Sequence, residues 1–152
     1  PFIRNFSTGG AIEAMAAGQS CLAFGYSGDM IQAGLRAAEA GRGVTVRYVA
    51  PKEGAQVWFD LLAIPADAPN PEAAHAFINF LLQPDVMANI TNHVRYPNGV
   101  PASRALVDAA VASDPAVFPP EALRASFFTI GPVPQAAERA RSRVWSRFKA
   151  GR

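Results

Sequence analysis

Apolar residues along the chain alternate between strand-sized runs and stripes with helical spacing. Short apolar runs at residues 21–26, 44–49 and 56–64 predict three strands, and the second run alternates apolar and polar positions. Stripes of helical period lie between and after these runs. The alternation of the two patterns predicts an α/β layered fold. Helices are predicted at about 9–18 (capped by Ser7 or Thr8), 29–40, from Asn70-Pro71, from Pro84, near 104–112 and 120–125, and at 135–149.

The same spacing predicts which side chains face the core. Because neighbouring residues of a strand point to opposite faces, Trp58 and Phe59 diverge, and we expect Phe59 to be the core ring. Cys21, at the start of an apolar run, is expected to be a small buried hydrophobe. Inward-facing stripes are predicted for two of the helices, namely Phe77, Ile78, Leu81 and Leu82 in one and Val144, Trp145 and Phe148 in the other.

Composition limits the class of protein. The 152 residues suffice for one ordinary domain with a core, and with 50% hydrophobic and 17% charged residues the chain is globular, with no apolar run of bilayer length. One cysteine excludes an internal disulfide framework and a CxxC metal site. The chain starts with Pro1 and has no signal-like layout. We therefore expect either a removed leader or a start inside a longer protein.

Charge is distributed unevenly. Residues 136–152 hold six basic side chains and one acid, so the rest of the chain is mildly acidic. A basic helix of this kind permits a nucleic-acid-binding module. However, Arg139, Arg143 and Arg147 recur every four residues, which is typical of a solvated helix face, and this interpretation is preferred.

Two motifs combine aromatic rings with carboxylates at the ends of apolar runs. Tyr26 and Asp29 follow the first run, and Trp58 shares one strand face with Asp60. Ring faces attract ammonium groups and carboxylates accept charge-assisted hydrogen bonds, so this chemistry favours capture of an organic cation. Tyr96, in a loop, is less easily explained by packing. For Asp29 an N-terminal helix cap is an open alternative.

Seven segments in order resemble the periplasmic polyamine-binding proteins of bacterial ABC transporters. They cover essentially the whole chain, yet only about the last two-fifths of such a protein, so the resemblance identifies a C-terminal part that lacks the N-terminal half. The segments are 21–29, 49–55, 58–68, 74–84, 96–99, 118–120 and 141–145.

The resemblance implies a type II periplasmic-binding-protein-like fold with two lobes, both incomplete here. Residues 1–40 and 116–152 would belong to lobe B and 44–108 to lobe A, with hinge crossings near 41–43 and 109–115. Lobes that lack strands expose sheet edges and apolar faces. We therefore expect the chain to need its missing N-terminal half or self-association.

The resemblance also implies a function. The chain would be the solute-binding component that captures putrescine or spermidine in the periplasm and delivers it to a membrane permease. Its pocket positions would be Tyr26 and Asp29 in one lobe and Trp58, Asp60 and Tyr96 in the other, with Ser27 and Glu53 as weaker candidates. No catalysis, metal, cofactor or nucleic acid is implied.

Two further alternatives stay open from the residues. Asp29 and Asp60 would also suit a carboxylate-pair hydrolase, although no companion motif accompanies them. The chain would otherwise be a binding-protein-like interaction domain without ligand competence.

Overall fold

Helices account for the regular structure of the part of the chain that can be described. The computed structural model describes Ile3 and residues 9–151. The suggested caps Ser7 and Thr8 lie outside these residues. The helices are α1 (Ala11–Ala16), α2 (Ser27–Ala40), α3 (Pro71–Leu81), α4 (Pro84–Val94), α5 (Ala109–Ala112), α6 (Glu121–Arg124) and α7 (Gln135–Lys149), with a 3₁₀-helix at Pro101–Leu106.

Proline and glycine residues mark several of the helix ends. Pro71 and Pro84 each open a helix, where the missing N–H of proline costs nothing. Gly41 ends α2 in the left-handed conformation, with φ of 63°. The predicted bounds of α7 are confirmed, and those of α2 are confirmed within two residues. The predicted helix near 104–112 is instead the 3₁₀-helix followed by the short α5.

None of the three predicted strands is assigned as a strand within residues 9–151. The one β-type pairing there is an isolated parallel bridge between Gln56 and Phe128. In it Val57 N–H donates to the Phe128 carbonyl at 2.9 Å, and Phe128 N–H donates to the Ala55 carbonyl at 3.1 Å. A strand is defined by its backbone hydrogen bonds to a neighbouring strand, and the described residues form almost no bonds of this kind. The predicted α/β layering is therefore not confirmed.

The segment 44–49 nevertheless keeps the burial pattern of a strand. It lies along α2, and both elements line an open cavity of about 550 Å³. A Cβ on Gly34 of α2 would lie 3.1 Å from the Val46 carbonyl oxygen, so glycine permits this close approach. The half-buried residues Val44, Val46 and Tyr48 alternate with the exposed residues Thr45, Arg47 and Val49.

The core is small and joins α2 to the region after α4. The buried residues of α2 are Gly28, Met30, Ala33 and Ala37. Because Ile31 of α2 packs on the cluster, the start of α2 is held beside α4, where the candidate site forms. The buried cluster consists of Ala88, Val107, Val111 and Val117, with Ile31, Ala112 and Phe118 packed against it.

Several side chains predicted to face inward are exposed instead. Phe59 is 75% exposed, so its prediction as the core ring is wrong, and Cys21 is exposed as well. Neither α3 nor α7 contains a buried residue. Burial of an apolar stripe needs a second layer, and the described residues do not supply one over these faces. The exposed members of the predicted stripes are Phe77, Leu82, Val144, Trp145 and Phe148, whereas Ile78 and Leu81 are half-buried.

Charges on α7 lie as predicted. Arg139, Arg143 and Arg147 are exposed. Arg141 pairs with Glu138 at 2.8 Å within the same helix. Among the described residues, no helix combines the length and apolar character needed to cross a membrane.

Gly54 provides a test of the pairing between segments 54–57 and 126–128. It has φ of 109°, and an added Cβ would lie 2.2 Å from the Ser126 carbonyl oxygen. Gly54→Ala should therefore lower the free energy of unfolding by about 1–3 kcal/mol more than Gly43→Ala, because overpacking adds to backbone strain. Gly43 is the matched control, with φ of 74° and open space around its Cβ position. Urea denaturation measures both, and equal losses would contradict the pairing.

Candidate functional site

The candidate site forms around the first turn of α2. Tyr26 precedes the helix in an extended conformation, with φ of −75° and ψ of 145°, and its carbonyl accepts the Met30 N–H at 3.1 Å. Asp29 is the third helical residue, and its carboxylate lies at the positive end of the helix dipole. The N-cap residue is Tyr26, which makes no side-chain capping hydrogen bond. Asp29 is therefore not the N-cap residue, although it does lie in the first helical turn, where acids are favoured.

Tyr96 closes the first turn of α2 from the loop after α4. Its hydroxyl accepts the Asp29 N–H at 3.2 Å and donates to the Asp29 Oδ1 at 3.1 Å. The first N–H groups of a helix have no partner within the helix, so the phenol satisfies one of them. The same contact fixes one oxygen of the carboxylate. Two predicted site residues that are 67 positions apart are thus brought together.

Gly28 makes room for this contact. It is buried, and a Cβ at this position would lie 2.2 Å from the Tyr96 Cε2. That distance is far inside van der Waals contact, so any larger residue would displace the ring. Gly28 is part of the site, and the sequence reasoning missed it because the motif was interpreted through its ring and acid.

The environment of Tyr96 changes its acidity. Partial burial is the main cause that raises the pKa of Tyr96 from 10.0 to about 12, and the charge of the Asp29 carboxylate acts in the same direction. The backbone hydrogen bond from Asp29 opposes this rise. The Tyr96 hydroxyl is therefore neutral at ordinary pH and is able to donate to the carboxylate.

The aromatic residues predicted for the two motifs also meet. The rings of Tyr26 and Trp58 have centroids 4.9 Å apart and an interplanar angle of 65°, an edge-to-face arrangement. Tyr26 is 45% exposed and Trp58 is 46% exposed, so each keeps surface for a ligand. This contact brings the segment around Trp58 to the start of α2.

Asp60 is not joined to the cluster. It is exposed, and no hydrogen bond or ion pair links it to another residue of the described chain. Four of the five predicted residues therefore form two contacting pairs beside the start of α2, Asp29 with Tyr96 and Tyr26 with Trp58. The fifth, Asp60, follows Trp58 by two positions. Of the weaker candidates, Ser27 is the half-buried first residue of α2 and Glu53 is exposed.

Asn98 is a second residue that sequence reasoning missed. Its amide nitrogen donates to Thr91 Oγ1 of α4 and to Ser103 Oγ of the 3₁₀-helix, at 2.9 Å each. It therefore ties the loop that carries Tyr96 to both flanking helices. Its place beside Tyr96 in the loop was the available signal.

Groups suited to metal binding are not found in this part of the chain. Within residues 9–151, no three His, Cys, Asp or Glu side chains come together in a way that would hold an ion. His75 and His93 are both exposed.

Comparison with known protein families identifies the family of the chain. Residues 3–119 match the family model described as bacterial extracellular solute-binding protein. This match covers more than half of the chain. The chain belongs to this family.

Several relatives are polyamine-binding periplasmic proteins. The chain is 44% identical over its full length to the putrescine-binding periplasmic protein SpuD of Pseudomonas aeruginosa, and 43% identical to the putrescine-binding periplasmic protein PotF of Escherichia coli. It covers 41% of each of these relatives. Over 77 residues, 51% of the chain and 22% of the relative, it is 44% identical to the spermidine/putrescine-binding periplasmic protein of Salmonella typhimurium. The chain thus spans about two-fifths of the length of the relatives that it matches throughout.

Substitution of Gly28 tests the geometry of the site without any ligand. Gly28→Ala should move the Tyr96 ring into solvent, so the pKa of this phenol should fall from about 12 toward 10.0. Ultraviolet absorbance titration of the tyrosines measures it, and Tyr96→Phe identifies the step. Because the folded-state pKa is raised, the stabilisation from the neutral phenol is fully present below pH 10 and is lost as the pH rises through about 12.

The matched control is Gly99→Ala, in the same loop as Tyr96. A Cβ at Gly99 has nothing within 4 Å. This variant should keep the wild-type titration. A Tyr96 step that shifts equally in both variants would contradict the role given to Gly28.

Proposed function

We propose that the chain is part of the solute-binding component of an ABC transporter, which captures putrescine or spermidine in the periplasm for uptake. The observation that carries this proposal is the cluster at the start of α2. There, the ring pair of Tyr26 and Trp58 and the carboxylate of Asp29, held by a phenol, flank one helix start in a chain 44% identical to a putrescine-binding periplasmic protein. Binding, rather than catalysis, is the role of this site.

The chemistry of the cluster suits a protonated amine. Tyr96 occupies Oδ1 of Asp29, and the other carboxylate oxygen has no hydrogen-bond partner in the described chain. That oxygen accepts an ammonium N–H, and the exposed ring surface of Tyr26 and Trp58 contacts the methylenes and faces the charge. Such ring contacts contribute on the order of 0.5–2 kcal/mol each.

The helix dipole opposes a cation at this place, and the carboxylate outweighs it. The N-terminus of a helix acts as roughly half a positive charge. Asp29 carries a full negative charge in the first turn, so the first turn keeps a net attraction for an ammonium group. The Asp29 side chain is therefore essential in this proposal.

Asp60 is proposed as the partner of the second amine. A diamine has two charged ends, and a second carboxylate on the same segment as Trp58 suits the distal one. Because Asp60 is exposed and follows Trp58 by two residues, it lies on a segment already in contact with the start of α2. We also propose that the completed protein has the type II periplasmic-binding fold with two lobes.

The proposed lobes have hinge crossings near 41–43 and 109–115. Contacts between the segments assigned to different lobes include Asp29 with Tyr96, and the packing of Ile31 on the buried cluster. Ligand contacts from both sides would favour closure over opening. The closed form would be the one that a membrane permease binds.

Exposed apolar runs support a need for further polypeptide. Leu22 is 90% exposed and Phe24 is 102% exposed, and both lie in a run without strand partners. Together with the two-fifths coverage of the relatives, this supports a requirement for the N-terminal half of the fold or for self-association. Ligand binding is proposed for the completed fold.

Removal of either carboxylate should weaken amine binding. In the chain completed with the remaining part of the Pseudomonas aeruginosa relative, Asp29→Asn and Asp60→Asn should each raise the Kd for putrescine by roughly 10- to 100-fold, because a charge-assisted hydrogen bond is lost. Isothermal titration calorimetry measures the change. Glu72→Gln, at an exposed acid in the first turn of α3, is the control and should bind as wild type. Undiminished affinity in both aspartate variants would overturn the proposal.

Trp58 should act through its ring face. Trp58→Phe should bind putrescine within a few-fold of wild type, whereas Trp58→Leu should lose about tenfold, since an aliphatic side chain has no quadrupole to attract the ammonium. The same calorimetric titration applies. Equal affinities for the phenylalanine and leucine variants would show that the ring serves only as apolar surface.

A further inference from the structure

Asn98 is the centre of the hydrogen bonds that hold the loop carrying Tyr96. Besides donating to Thr91 Oγ1 and Ser103 Oγ, its Oδ1 accepts the Val100 N–H at 2.8 Å. A more distant acceptor, the Met87 carbonyl of α4, lies 3.4 Å from the amide nitrogen. Both ends of one amide group are therefore used within the loop and its flanking helices.

The partners of Asn98 are anchored. Thr91 is fully buried and Ser103 is 2% exposed. Ser103 Oγ also donates to the Val100 carbonyl at 2.7 Å. Buried hydroxyl groups lose water on folding and depend on protein partners, so removal of the amide would take from both hydroxyl oxygens the hydrogen bond that they accept from Asn98.

The chain reaches Asn98 through an unusual turn. Arg95 follows the last residue of α4 with φ of 63°, the left-handed conformation that residues other than glycine seldom adopt. Such a conformation persists where the surroundings determine it. The turn sends the chain from α4 to Tyr96, and the bonds of Asn98 hold it two residues later.

From these contacts we infer that Asn98 is a positioning residue for the amine site. It keeps Tyr96 against α2, and Tyr96 in turn fixes the Asp29 carboxylate; the link to amine binding rests on the proposed function. The tolerance is small, because the Tyr96 hydroxyl must stay within 3.2 Å of the Asp29 nitrogen, while its ring fills the space left by Gly28. Asn98 needs no contact with the ligand for this role.

Backbone amide exchange reports this positioning without ligand. The Asp29 N–H has the Tyr96 hydroxyl as acceptor, whereas Ala37, in the same helix, is buried and remote from Tyr96 along α2. Asn98→Ala should increase the exchange rate of Asp29 relative to that of Ala37 by on the order of tenfold, the factor for one lost hydrogen bond. Exchange is measured on the 152-residue chain in the oligomeric state that it adopts in solution.

Three further variants separate positioning from general stability. Gly54→Ala lowers the stability of the fold at the contact with Ser126, outside both this network and the buried cluster, and should not raise the Asp29-to-Ala37 ratio. Thr91→Val removes one partner of Asn98 at nearly constant volume and should raise the ratio less than Asn98→Ala does. Tyr96→Phe should reproduce the full increase, and the double variant with Asn98→Ala should add nothing to it.

The affinity for putrescine is the second quantity that tests the inference. In the completed fold, Asn98→Ala should raise the Kd by about the factor that Tyr96→Phe does, and the two changes should not add. An Asp29 exchange ratio that stays at the wild-type value in Asn98→Ala, while it rises in Tyr96→Phe, would overturn the inference. If the ratio rises in both variants but wild type binds no amine, the positioning role stands and the proposed function fails.

Discussion

The contact between the Tyr96 phenol and the first turn of α2 is the interaction on which the arrangement of the site depends. One hydroxyl group accepts the Asp29 N–H and donates to its carboxylate. It therefore satisfies one of the N–H groups that have no partner at a helix start, and it also joins two distant parts of the chain. Without it, the carboxylate would lose the hydrogen bond that fixes its direction.

Small residues and buried polar groups support that contact. Gly28 provides the space for the ring, and Asn98 holds the loop through Thr91 and Ser103. The apolar cluster that includes Ile31 and Ala88 places α2 beside α4. The site is thus built on helix packing, and its precision comes from directional hydrogen bonds, since apolar contacts alone do not fix orientation.

Part of the exposed apolar surface lies in runs that the sequence predicts as strands. Runs such as 21–26 and 56–64 have the composition of strands, but a strand forms only when a neighbour offers its backbone groups. The described residues provide a single bridge, between Gln56 and Phe128. Phe24 and Phe59, which lie in these runs, are therefore exposed.

Helix positions, and the residue types of the site, were determined by the sequence alone. Proline at the first turns and Gly41 after α2 act through local backbone geometry, so the bounds of α2 and α7 were predictable. Rings and carboxylates at the ends of apolar runs indicated cation chemistry because that chemistry belongs to the side chains themselves. Only the tertiary structure decided that Phe59 is exposed, that Asp29 is not the N-cap residue of α2, and that Gly28 and Asn98 belong to the site. Burial, strand pairing and contacts over 67 positions depend on what lies opposite in space, and no local pattern records it.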